Sequence, residues 1–423
     1  MAKPTLEGLP AELLIIILSQ ISDWESLRSI VLSSPTCHRA YLASRHELLY
    51  NILKRQYGQL LDLPEAITAI RSKGLYLHHN EEEAIALLDR WRRRDEISRW
   101  SLTLTEPIGL EEVIKLLHLH KQLQFFLEDY STNIPRPSWM DPAQWEHELP
   151  LKMSDCEKRR FLRALYRLYT HANIFGLPEV HPQSNSIDNG FDNEQAYRLF
   201  FGAMPPWEYQ EIGCVWSYLM TQYGSVFNEI SHALRNAMRD TESRFFGDVL
   251  PDNECPPSGV VDTVDHLEKL PKYAQSLTSV GPDFLYRVLH AKPLHRRNLV
   301  IANLRTYRPL MGCWLLNWVF RVPFTDPADR YDVPYFKLFW STLPPIDQPN
   351  LGWKRLGLMP HTPEQQLEDV LEMNEEALEQ EWPWGYALWD DSRLKAWKAP
   401  LLKDRRGYAQ IAAAPPLLLL TAP

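Results

Sequence analysis

Fourteen histidines, five cysteines and a few dense charge runs are the side chains of this sequence that could do chemistry. Their spacing restricts which chemistry that could be. His78 and His79 are adjacent and His118 and His120 are separated by one residue, so neither pair shares a helix face. No H-E-x-x-H segment and no C-x-x-C pair supplies the remaining ligands of a metal site. Cys37, Cys156, Cys214, Cys255 and Cys313 are scattered, which suits reduced thiols better than a zinc ribbon or a disulfide framework. The nucleophile elbow G-x-S-x-G, the phosphate loop G-x-x-x-x-G-K-[ST] and the dinucleotide fingerprint G-x-G-x-x-G do not occur. Asp390 and Asp391 read as the cap of a helix through Lys398 rather than as a magnesium site. No catalytic residue, metal or cofactor is expected.

The charges have a second possible use, recognition. A formal charge of -9 argues against a nucleic-acid binder, which needs excess Lys and Arg to neutralise phosphates. Arg90-Trp91-Arg92-Arg93-Arg94 could stack and pair with RNA, but Asp89, Asp95 and Glu96 dilute it. An ion-paired helix explains that run without a ligand. Arg160, Arg163 and Arg167 form one stripe of a helix whose other stripe is Leu162, Leu165, Tyr166 and Tyr169. The basic stripe reads as a solvated face, with contact to an acidic partner as the sharper alternative. A segment from Pro363 to Glu379 carries seven carboxylates and reads as a solvated acidic face or as the internal counterpart of basic residues elsewhere.

These residues need elements to position them, and the composition indicates helices. Pro is frequent at 33 and Gly scarce at 17, alternating strand patterns are hard to find, and the fold class expected is mostly α. Capping boxes are legible at Ser22 with Glu25, Ser44 with Glu47 and Ser154 with Glu157. Helices are expected from Pro64 to Ser72, Glu81 to Trp100, Glu111 to Asp129, Asp155 to Phe175 and Pro206 to Tyr223, the last two ending at Gly176 and Gly224. The Pro-rich stretch Gly247 to Val261 is the linker candidate. The expected organisation is a small N-terminal module over 1–57, a helical body over 60–248, an aromatic- and Pro-rich helical region over 262–411 and a disordered tail over 412–423. Trp and Tyr of that C-terminal region are the recognition candidates, although most of them belong to a core. No apolar run approaches the ~20 residues of a membrane span, and Glu7 and Glu12 flank the first apolar run, so neither a membrane segment nor a secretory signal is expected. A soluble cytoplasmic or nuclear chain is expected.

The N-terminal module is the most informative stretch. Pro10 opens a helix in which Leu13, Leu14, Ile15, Ile16, Ile17 and Leu18 are all apolar, so every face of it must be covered. Two short helices after it cover only part of that circumference. The second presents Trp24, Leu27, Ile30 and Val31 as one stripe, and the third starts at Ser34 with Pro35 and carries Cys37 and Tyr41.

In this order, Leu9-Pro10-x-Glu12-Leu13, then Ile16, Ile17 and Ile21, then Leu27 and Val31, then Cys37-His38-Arg39-Ala40-Tyr41, the residues resemble an F-box. Tyr41 stands where F-boxes often carry Trp, keeping a large flat surface with a polar tip. The resemblance covers about the first tenth of the chain. It implies a module that docks onto the adaptor of an SCF-type ubiquitin ligase and through it onto a cullin scaffold. Leu9, Pro10, Leu13, Leu14, Ile17, Leu18, Leu27, Val31, Cys37 and Tyr41 would contact the adaptor or hold the surface that does. Farther on, Glu157 to Phe175 with Pro206-Trp207-Glu208, Glu211-Ile212 and Cys214-Val215 resemble helical proteins of filamentous fungi, a resemblance that brings no chemistry. The functional expectation is a ligase subunit whose helical body holds a target protein. The alternative is a helical interaction or structural protein outside any ligase, in which the first helix is covered by the chain's own body.

Overall fold

The computed structural model describes residues 6–57, 63–76, 79–92, 108–176, 179, 199–201, 204–240, 274, 277–304, 347–356 and 381–400. These residues are mostly helical and contain no strand. The linker candidate Gly247 to Val261, the acidic segment Pro363 to Glu379, the aromatic run from Trp314 to Trp340 and the tail lie outside them.

The N-terminal module is built from α1 (Ala11–Ser19), α2 (Trp24–Ser33), α3 (Pro35–Ala43) and α4 (Arg45–Tyr57). Pro10 is the residue before α1 rather than its first residue, with extended backbone that turns the chain into the helix. The start of α2 corrects the expected box. Asp23, not Ser22, caps the helix, its carboxylate accepting from the Ser26 amide at 2.7 Å, because Asp23 is the residue in extended conformation at the junction. α3 begins as its sequence indicates, with the Ser34 hydroxyl accepting from the Thr36 and Cys37 amides and Pro35 in the first turn. α1 packs on α3 and α4, and α4 carries the module onto the body by lying along α7 (Leu110–Asn133).

The body is organised around α9 (Asp155–Phe175), whose bounds are those legible in the sequence. Its Ser154 and Glu157 form the expected capping box, with the Ser154 Oγ accepting from the Glu157 amide at 3.1 Å and the Glu157 carboxylate accepting from the Ser154 amide at 2.9 Å. Before it come α5 (Leu63–Arg71), α6 (Glu81–Arg92) and α8 (Pro142–Glu148), and after it α10 (Pro206–Asp240). α10 and α5 lie along α9, and α7 joins them. The expectation that α10 ends before Gly224 is corrected: the helix runs through that residue, because Gly224 sits in mid-helix with neither a positive φ nor a crowding neighbour to interrupt it. α11 (Pro282–His290) and α12 (Pro293–Leu304) form a hairpin against α9 and α10.

The C-terminal elements, α13 (Leu351–Leu356), the turn Trp382–Trp384 and α14 (Asp391–Ala396), close the same core. Trp353, Trp382, Trp384, Trp389 and Trp397 are all buried, so these aromatic residues pack the interior instead of offering a recognition surface. Trp382 lies directly on α10 where Gly213 has no side chain, and an added Cβ there would meet the indole at 2.1 Å. Asp390 is also reassigned. α14 ends at Ala396, and the Asp390 side chain makes no cap bond; it accepts instead from Arg160 at 2.9 Å and from the Ser154 hydroxyl. The Glu157 carboxylate meanwhile accepts from Arg393 at 2.7 and 2.8 Å, so one capping box fixes both the start of α9 and the position of α14.

Candidate protein-docking face

α1 separates its apolar residues into two stripes. Leu14 and Leu18, one turn apart, are 1% and 2% exposed and anchor the helix in the core. Leu13, Ile16 and Ile17, which share the opposite side of the helix, are 45%, 57% and 40% exposed. Burying a large aliphatic side chain contributes about 1.5–3 kcal/mol, so three such residues left in water are a standing incentive to bind something. Leu6 before α1 and Leu42 on α3 are exposed as well, as is Pro10.

The residues read from the sequence as adaptor-contacting therefore fall into two groups. Pro10, Leu13 and Ile17 reach solvent and Leu9 is half-buried. Leu14, Leu18, Leu27, Val31, Cys37 and Tyr41 are buried in this chain's own core, where they hold α1, α2 and α3 together. Tyr41 keeps its polar tip satisfied, its hydroxyl accepting from Arg45 Nε at 3.0 Å. Ile16, absent from the adaptor-contacting set, is more exposed than Leu13 or Ile17, and its i, i+3 relation to Leu13 is the signal that could have included it.

An open cleft of about 1290 Å³ lies between α2 and α7 and is lined as well by residues of α4 and α11. Trp24, Leu32, Leu117, Phe125, Tyr286 and His290 line it. Leu27 and Val31 hold α2 in the core, whereas Trp24, read from the sequence as part of their stripe, is 40% exposed and faces the cleft with the exposed Leu32. His290 Nδ1 is bonded to the Tyr286 carbonyl oxygen at 2.8 Å, and the His290 ring packs on Tyr286 and Phe125. Burial pushes His120 down to about 4, so its ring is neutral at physiological pH. Among the described residues no three His, Cys, Asp or Glu side chains converge as metal ligands.

The arginine stripe of α9 lies on no face at all. Arg163 and Arg167 are buried, as is Arg160. They were expected to be solvated; they are instead enclosed by acids from four other segments. Arg163 forks onto Glu211, with Nη2 2.7 Å from Oε1 and Nε 3.0 Å from Oε2, and its Nη1 reaches Glu208 at 3.0 Å and Asp347 at 2.9 Å. Arg167 reaches Glu65 at 2.8 Å and Glu208 at 2.8 Å. Glu65 also accepts from Trp91 Nε1 at 2.7 Å, and the Arg167 guanidinium lies 5.8 Å from the Trp91 ring centre. That placement withdraws the buried Trp91 from any stacking contact with nucleic acid. Burial alone would weaken the charge of Arg163, but Glu208, Glu211 and Asp347 outweigh it and hold the guanidinium protonated. No known family model matches the chain, and no curated protein or solved structure is similar to it.

Proposed function

We propose that this chain is a target-receptor subunit of an SCF-type ubiquitin ligase. It docks to the ligase adaptor, and through it to a cullin scaffold, by the N-terminal module, and it presents a target protein on its helical body. Ubiquitin transfer belongs to the partners, and this chain contributes binding alone. The observation that carries the reading is the exposure of Leu13, Ile16 and Ile17 on a helix whose other stripe is anchored by Leu14 and Leu18. A docking face of this kind buries a few large apolar anchors within a polar rim. The order of residues that resembles an F-box, from Leu9-Pro10 to Cys37 and Tyr41, supports the adaptor as the partner.

The test is co-purification of the full chain with recombinant ligase adaptor. The unaltered chain should retain it, and the double variant Ile16→Asp, Ile17→Asp should lose it while keeping the helical circular-dichroism signal and melting temperature. A chain that never retains adaptor, or a double variant that retains it undiminished, overturns the proposal in favour of a helical interaction protein outside any ligase. Leu14→Asp is unsuitable for this purpose, because a carboxylate at a fully buried site disrupts the module itself.

A further inference from the structure

The cleft between α2 and α7 has two unlike ends, and α4 sets its direction. His46, in the first turn of α4, is bonded through Nε2 to the Ile108 carbonyl oxygen at 2.8 Å, just before α7. α4 lies along α7, so the two helices start together and run the same way. At the far end of α4, Arg55 donates to the Ile21 carbonyl oxygen at 3.3 Å, so α2 starts there and returns toward Arg45. The start of α2 thus shares one end of the cleft with the later turns of α7, where Phe125 packs on Tyr286 and His290 of α11. The last turn of α2 shares the other end with Arg45 and the earlier turns of α7.

Charge is sorted along this direction. Asp23, Glu25 and Glu128 belong to the first end, Arg28 and Lys121 lie midway, and Arg45 stands at the second end. Three acids against three bases leave no net field, so the order of the charges is what can select a partner. Asp23 is spent in part on capping α2, and none of the other five has an ion-pair partner among the described residues. The apolar lining has a matching period. Trp24 and Leu32 are exposed eight residues apart on α2, and Leu117 and Phe125 are half-buried eight residues apart on α7. Eight residues of helix rise about 12 Å, so both walls offer apolar anchors at a spacing of two turns. A helix laid between them presents its own apolar stripe at that same spacing.

We infer that this cleft holds an amphipathic helix of a partner protein, its apolar stripe packed on Trp24, Leu32, Leu117 and Phe125, its basic end against Glu25 and Glu128, and its acidic end against Arg28, Lys121 and Arg45. Calling that partner the ligase target rests on the receptor reading. The aromatic rings Trp24 and Tyr286 at the first end favour Lys or Arg there as well. A nucleic-acid strand fits worse, because its phosphates would run past three carboxylates.

The test is a binding titration of the full chain with a fluorescein-labelled synthetic helix that carries a leucine stripe, lysines at one end and glutamates at the other. The control peptide has the same composition with the two charges alternating. The sorted peptide should bind, and the alternating one at least about tenfold more weakly. Trp24→Ala, at an exposed position that should leave the melting temperature unchanged, should weaken the sorted peptide by about tenfold or more. Glu25→Lys combined with Glu128→Lys should abolish the preference for sorted charge. The Ile16→Asp, Ile17→Asp double variant should bind undiminished, which separates the cleft from the α1 face. Equal binding of the two peptides overturns the inference, as does no binding of either, or a Trp24→Ala chain that binds as well as the unaltered one. Adaptor retention is measured alongside, and Trp24→Ala should keep it. A chain that binds the sorted peptide but never retains adaptor fails the ligase reading alone, and one that retains adaptor but binds neither peptide fails this inference alone.

Discussion

Glu208 joins Arg163 to Arg167. One of its carboxylate oxygens lies 3.0 Å from the first guanidinium and the other 2.8 Å from the second, so a single side chain of α10 spans one turn of α9. Arg163 and Arg167 in turn reach Glu211, Asp347 and Glu65, and the bridge is the point through which three helices and the 347–356 segment are held in one register.

Removing the bridge leaves both guanidinium groups short of a partner where water cannot replace it. Glu208→Ala is therefore expected to destabilise the fold by about 3–5 kcal/mol, the range for breaking a buried ion pair from one side. Urea unfolding at neutral pH measures it. A loss below about 1 kcal/mol would mean that the network rearranges around the gap.

The two stripes of α1 predict opposite sensitivities in neighbouring residues. Leu14→Ala should destabilise by about 2–5 kcal/mol, as a fully buried leucine does when a cavity replaces it. Leu13→Ala and Ile16→Ala should change stability by no more than about 0.5 kcal/mol, because their side chains already stand in water. Thermal melts of the three variants compare them directly, and equal effects would mean that the stripe reaching solvent is wrongly identified.

Much of this was legible in the sequence. The bounds of α9 and its Ser154–Glu157 box followed from capping chemistry, which is local. The separation of α1 into buried and exposed stripes was implied by too many apolar residues for too few covering helices. The arginine stripe was misread for a physical reason. Amphipathic patterning assigns charge to water, and α9 instead turns a charged stripe inward because acids distant in the chain meet it. Glu65 lies 102 residues before Arg167 and Asp347 lies 184 after Arg163, so no window of sequence holds both members of either pair. A clue was present in α5, where Glu65 stands among the apolar Leu63, Ala66 and Ile67. The sequence favoured an ion-paired helix over a stacking role for Trp91, but it could not show that the indole N–H goes to Glu65, 26 residues earlier.

His171 gives the fold an acid limit. It is buried among the rings of Phe175, Phe200 and Phe201, its Nε2 has no partner, and burial pushes it down to about 4. In the unfolded chain the ring takes a proton near pH 6.5, so the unfolded state binds more protons between about 6.5 and 4. The contribution is present above pH 6.5 and is lost as pH falls toward 4. His171→Phe should hold its melting temperature between pH 7 and 5 better than the unaltered chain does. An identical fall in both proteins would assign the acid sensitivity elsewhere.

Two glycines of α10 should respond with opposite signs to the same substitution. Replacing glycine by alanine inside a helix favours the helix by up to about 1 kcal/mol, because glycine loses more backbone freedom on folding. At Gly224 nothing lies within 4 Å of the added methyl, so Gly224→Ala should stabilise the protein by that amount. At Gly213 the methyl would stand 2.1 Å from the Trp382 ring. That indole cannot retreat easily, since its Nε1 donates to Gln210 Oε1 at 2.7 Å and Tyr386 donates to the same oxygen at 2.9 Å. Gly213→Ala should therefore cost about 1–3 kcal/mol, the range for overpacking a core, and should shift tryptophan fluorescence as Trp382 is forced outward. Urea unfolding followed by both circular dichroism and fluorescence separates the outcomes. If Gly213→Ala stabilises the chain as Gly224→Ala does, then the Trp382–Trp384 turn does not pack on α10 in solution, and the closure of the core by the C-terminal aromatics is wrong.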